Sequence, residues 1–206
     1  MYNILVKCGI FLIFSILIVD MDLTNAQARV IVNEKEKFYY IRGKTGEQIL
    51  KSVLKSGPIV SKEKTFGSTK IKFDFKNLRV LPLRGRCRIT NIDVILTLLH
   101  TYPKWQNLKD ANVASRKNWN RFSDQIRRHQ RKRKSIAVRT AHKMERYLKQ
   151  GRKAVLTKCG GLTKSGTRTL DSYIAAHNRR QAQFDMREQS NYSRTTRSLI
   201  TFLEGI

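Results

Sequence analysis

The chain has 206 residues, with 42 Lys and Arg against 15 Asp and Glu, and a formal charge of +27 at pH 7. Its 40% hydrophobic content excludes a wholly disordered tail, and its length fits a single domain able to bury a core. So large a positive charge predicts attraction to polyanions or anionic surfaces, without choosing among nucleic acid, acidic polysaccharide and membrane.

The chain opens with Lys7, an apolar run from Ile10 to Val19, and Ala26-Gln27-Ala28. A basic start, a short apolar stretch and an A-x-A site make a secretory signal peptide over residues 1–28. Cleavage after Ala28 leaves 29–206 as one domain, located in the periplasm or secreted. The apolar run is shorter than the roughly 20 residues of a membrane span, so no span is expected after cleavage. Retention as an anchor is the competing reading. Loss of Lys7, Asp20 and Asp22 with this segment takes the charge from +27 to +28. Loss of Cys8 leaves Cys87 and Cys159, an even pair that in an exported chain is read as a disulfide. The loop it closes is long, worth roughly 4 kcal/mol on a chain-entropy account.

Three strands and a short helix come next. Lys37 to Ile41 is a short aromatic strand. Thr45 to Ser56 sets Ile49, Val53 and Leu54 on one helical face and stops at Gly57-Pro58. Gly43-Lys44-Thr45 is no phosphate loop, because Phe38 stands where that motif needs its first glycine. Thr69 to Phe75 alternates with period two, and Arg88 to Tyr102 is a longer, more buried strand. His100 closes that strand with no evident partner.

Residues 112–150 then carry a helical stripe: Trp119, Phe122, Ile126, His129, Arg133, Ile136, Thr140, Met144 and Tyr147. It is apolar at both ends, with His129 and Arg133 in its centre, where a charge is costly unless partnered. Gly151 is the expected cap. A second helix is expected over Thr167 to Met186, with Leu170, Tyr173, Ile174, His177, Gln181 and Phe184 on one face. Strands first and helices second give an α+β domain: antiparallel strands with a short helix, a long helix, then a C-terminal helix.

The window His129-Gln130-Arg131-Lys132-Arg133 has the length of H-E-x-x-H, in which two histidines on one helix face bind zinc and the glutamate acts as base. The wider chain resembles a bacterial family of predicted secreted zinc-dependent proteases. The resemblance runs through Tyr39, Ile41, Gly43 and Thr45, then Gly57-Pro58, Cys87, and Asp93 to Pro103 with Trp105. It continues through Trp119, Phe122, Arg128-His129 and Cys159 to Phe184-Asp185. It implies a zincin-like helix placement and a zinc cofactor in the family. This chain departs from the pattern: Gln130 replaces the base, Arg133 replaces the second ligand, and Ser190-Asn191 stands where the resemblance implies His-Gly. Glutamine takes no proton from water at neutral pH, and arginine has no lone pair for a metal. No catalytic set is intact at His129, Gln130 and Arg133, and no metal is expected. His129 is vestigial, and His177 and Asp185 are the remaining candidates to stand near a metal. Asp185 is also the expected partner of Arg133. His142 faces away from His129 around the helix.

Arg127, Arg128, Arg131, Lys132 and Lys134 form a basic run that suits polyanions or solvent alike. No aromatic stacking platform or recognition helix accompanies it in sequence, so sequence-specific nucleic-acid binding is not expected. The preferred function is an exported pseudoenzyme that binds a protein partner or an anionic surface. The alternatives are a non-specific polyanion-binding protein and an active hydrolase with an atypical metal site.

Overall fold

The computed structural model describes residues 27–60, 63–83, 86–150 and 164–204. Within them the architecture is α+β. Strand β1 (Gln27–Ile41) leads to helix α1 (Gly46–Ser56), then to a small hairpin, β2 (Ile59–Val60) and β3 (Glu63–Lys64). Strands β4 (Ser68–Leu83) and β5 (Arg86–Trp105) follow, then helices α2 (Val113–Lys149) and α3 (Lys164–Glu204). The expected elements are all present, but β1, β4 and α3 are longer than their sequence patterns, because pairing and packing extend them past the periodic core. Gly151 and Cys159 lie outside the described residues.

The main sheet has the order β1-β5-β4. β4 and β5 are neighbours in sequence and pair antiparallel, as expected for the strands generally. β1 instead runs parallel to β5, so the sheet is mixed. The reason is connectivity: α1, the hairpin and β4 intervene between β1 and β5, and so long a crossover permits a parallel partner. As the central strand, β5 is the most apolar. Its inward residues Ile92, Val94, Leu96 and Leu98 are buried and packed with Ala137, Ala141, Met144 and Leu148 of α2. The two alanines let helix and sheet approach closely. Each large aliphatic side chain so buried contributes about 1.5–3 kcal/mol.

A second core lies at the far end of β5, where Ile41, Ile49 and Val53 meet Trp105, Trp119 and Phe122. The Thr45 hydroxyl caps α1 by accepting from the Gln48 N–H at 3.3 Å, while the Gln48 side chain accepts from the Lys44 N–H at 2.8 Å. Gly43 sits at φ 152°, and a Cβ there would meet Ile49 N at 2.7 Å. Its carbonyl accepts the Trp105 indole N–H at 3.1 Å. This glycine therefore shapes the turn that delivers α1 to the second core.

Along α2 the buried face passes through Ile126, Gln130, Ala137, Ala141, Met144 and Leu148. Between Ile126 and Thr140 this corrects the predicted stripe, which took His129, Arg133 and Ile136. A helix covered by a sheet on one side and α3 on the other has two inward faces. The sheet takes Gln130 and Ala137, and His129 and Arg133 turn toward α3.

Candidate functional site

Two pairs of side chains on α2, offset by one residue, meet different surroundings. The first pair is Gln130 and Lys134. The Thr69 hydroxyl of β4 donates to Gln130 Oε1 at 2.7 Å and lies 2.7 Å from His100 Nδ1 of β5. His100 Nε2 lies 2.9 Å from Glu34 Oε1 of β1. Glu34 Oε2 accepts from Lys134 Nζ, back on α2. The Lys134 ammonium holds the Glu34 carboxyl below its usual range. The circuit thus leaves α2, touches all three strands and returns one turn later. Gln130, Thr69 and His100 are buried within it. Since Glu34 only accepts, His100 Nε2 carries a proton toward it. Either orientation of the Gln130 amide then keeps each polar group in the chain partnered.

The second pair is His129 and Arg133, which face α3. Arg133 Nη1 donates to Asp185 at 3.1 and 3.3 Å, the partner expected for it. His129 Nε2 is 3.5 Å from Asp185 Oδ1, and its Nδ1 is 3.8 Å from Glu188 Oε2. The His129 ring packs against Phe184 at 4.8 Å. Gln181 donates to the Arg133 carbonyl at 2.9 Å. His177 is buried edge-on against Phe73, 5.1 Å between centroids. Burial first, then Arg133 and Arg180, lowers the His177 pKa to about 4, so it is neutral at pH 7.

This seam is not saturated. Among the described residues, the buried side-chain polar atoms without a hydrogen-bond partner are His129 Nδ1, Arg133 Nε, His177 Nδ1 and Gln181 Oε1. All four belong to the α2–α3 contact. Buried polar groups are normally paired, so these four depart from the usual rule.

The residues at the seam do not fit a zincin site. A guanidinium occupies the carboxylate that would otherwise face a metal, and its fixed charge opposes a dication. Gln130, at the position of the base, points to the sheet and is bonded by Thr69. Among the described residues no group of three or more His, Cys, Asp and Glu is arranged to hold a metal ion. His142 is half exposed and pairs with Glu145 at 2.9 Å.

The basic run is also divided. Arg127 meets Glu36 at 3.2 Å, Lys132 meets Glu188 at 3.3 Å, and Lys134 belongs to the circuit. Arg128 and Arg131 are exposed. The continuous ridge expected from sequence is therefore partly neutralised by carboxylates from β1 and α3. Sequence reasoning missed Thr69, Glu34 and Glu188 altogether, and left His100 without a partner. The clue to His100 was its phase, since Ile92, Val94, Leu96, Leu98 and His100 are every second residue of one strand. The clue to Glu34 was hidden, because β1 was not expected to start so early.

No helix among the described residues is long and apolar enough to cross a membrane. A family model described as "Bacterial protein of unknown function (DUF922)" matches residues 36–192. No curated protein matches the chain, and no solved structure matches it.

Proposed function

We propose a function from one premise: the chain belongs to the bacterial family of unknown function DUF922. It is an exported, catalytically inactive member that acts by binding, a pseudoenzyme built on a zinc-protease-like scaffold. The observation that carries this reading is Arg133 on Asp185. An ion pair occupies the second-ligand position of the degenerate motif, and its neighbour Gln130 is committed to the sheet. Neither residue is free to activate water. What remains at the seam is a polar, incompletely satisfied contact suited to holding a protein partner or an anionic group.

Export rests on the N-terminal residue pattern. β1 runs from Gln27, and Ala28 is buried against the core opposite Ile92. A cut after Ala28 would trim that strand, so the mature N-terminus is expected between Gln27 and Arg29, and N-terminal sequencing of exported protein checks it. We pair Cys87 with Cys159. Cys87 is disulfide-bonded, which supports that pairing. Non-reducing peptide mapping tests it.

The functional test is proteolysis. Purified mature chain, with zinc supplied, is expected to leave casein intact. Hydrolysis abolished by His129→Ala would establish the rival reading, an active enzyme with an atypical metal site. The second alternative, a polyanion binder, is favoured by the charge of +27 and is separated by the salt dependence of heparin binding.

A further inference from the structure

Away from the seam, the fold assembles a surface that no sequence motif announced. Phe38 and Tyr40 are two residues apart on β1, so their side chains leave the same side of the strand roughly 7 Å apart. They are 38% and 57% exposed, the only exposed aromatic residues among those whose side chains are described. On β5, Tyr102 stands opposite Phe38 and Lys104 opposite Tyr40. Lys104 Nζ lies 5.9 Å from each of the two exposed ring centroids. Phe38 leans on buried Tyr102 at 6.3 Å, and Arg127 lies over the Tyr102 ring at 4.5 Å. Arg131, one turn further along α2, is exposed. Among the described residues β1 is an edge of the main sheet, and no further strand covers the outer side of this row.

We propose that this edge is a platform for single-stranded nucleic acid, with Tyr40 and Phe38 stacking on bases and Lys104 and Arg131 meeting phosphates. The basic run carries no rings in its own sequence, and those beside it come from the strands β1 and β5. The site shares only Arg131 with the window from His129 to Arg133 and does not depend on the chemistry of that window. Two stacking rings at nucleotide-scale spacing beside cations are the recurring components of sequence-tolerant single-strand binding. Duplex DNA keeps its bases stacked and offers such rings little. An acidic polysaccharide would want free carboxylates or amides for its hydroxyls. Those nearest are engaged, Glu36 with Arg127 and Gln106 with Arg42.

The test uses the full mature chain and three fluorescent probes: a twenty-nucleotide oligothymidylate, a duplex of equal length, and heparin. Tyr40→Ala is expected to weaken oligothymidylate binding about tenfold without changing its salt slope, and to leave heparin binding unaltered. Lys104→Gln is expected to reduce that slope by about one phosphate contact. Phe38→Leu, which keeps a bulky apolar group on Tyr102, is expected to act like Tyr40→Ala, so a folding defect in one variant does not decide the matter. Three results would each overturn the platform: no oligothymidylate binding at low salt, equal affinity for duplex and single strand, or unchanged affinity in both ring variants. Parallel losses for heparin and oligothymidylate would reassign the surface to acidic polysaccharide.

Discussion

Gln130 with Lys134, and His129 with Arg133, are neighbouring i,i+4 pairs on one helix, yet they do opposite things. The first pair closes a circuit with Thr69, His100 and Glu34 that ties α2 to all three strands. The second faces α3 and belongs to a seam with four buried atoms that lack a hydrogen bond. A rotation of about 100° on the helix separates a completed polar network from an incomplete one. Completed networks fix a packing, and buried polar groups left unpaired are exceptions to the usual pairing. The window from His129 to Arg133 straddles that divide. Gln130 belongs to the circuit, and Arg133 closes part of the seam by binding Asp185.

The largest effects should come from breaking the circuit. His100→Leu removes the link between Thr69 and Glu34, and urea unfolding should show a loss of about 3 kcal/mol. Gln130→Glu restores the glutamate alone, leaves Arg133 in place of the second ligand, and buries a carboxyl. Its folded pKa should lie above the unfolded value, so stability is retained at low pH and lost as pH rises through the folded pKa. Urea titrations from pH 4 to 8 should show that fall, and no casein hydrolysis should appear. A variant as stable at pH 8 as at pH 4 would place residue 130 in solvent and undo the circuit.

The next effect belongs to the seam. His177 has a pKa lowered from 6.5 to about 4. Its neutral form contributes stability that is complete above pH 6.5. As pH falls toward 4 the unfolded chain takes up the proton first, and that stability is lost. His177→Leu should flatten that part of the stability profile. An unchanged profile would show that the histidine titrates normally.

How much of this the sequence disclosed depends on range. The long helix, the alternating strand and the capped short helix were legible because each is written in local periodicity, as with Thr45 and Gln48 at the start of α1. The Arg133–Asp185 pair was legible because a charge on an apolar stripe needs a partner, and the resemblance pointed to Asp185. The circuit was not legible. Its members come from three strands, and β1 pairs with β5 across more than 60 residues of chain in a parallel register that no local pattern encodes. The stripe on α2 misled for a related reason: spacing alone does not say that a helix is sandwiched, so His129 was read where Gln130 is buried.

Smaller effects sharpen the contrast. Arg133→Met should cost about 1 kcal/mol, because Asp185 reaches solvent once released. A loss as large as that of His100→Leu would make the seam as structural as the circuit. Lys132→Gln removes an exposed contact with Glu188 and should change thermal stability by less than about 0.5 kcal/mol.

On the proposed reading residues 129–133 serve structure and hold no metal, and zinc binding to the purified wild-type chain decides it. Calorimetric titration, with metal analysis after dialysis, should find no one-to-one site, and His129→Ala should leave the titration unchanged. Tight one-to-one zinc that disappears in His129→Ala would contradict the claim and restore a metal centre to the seam.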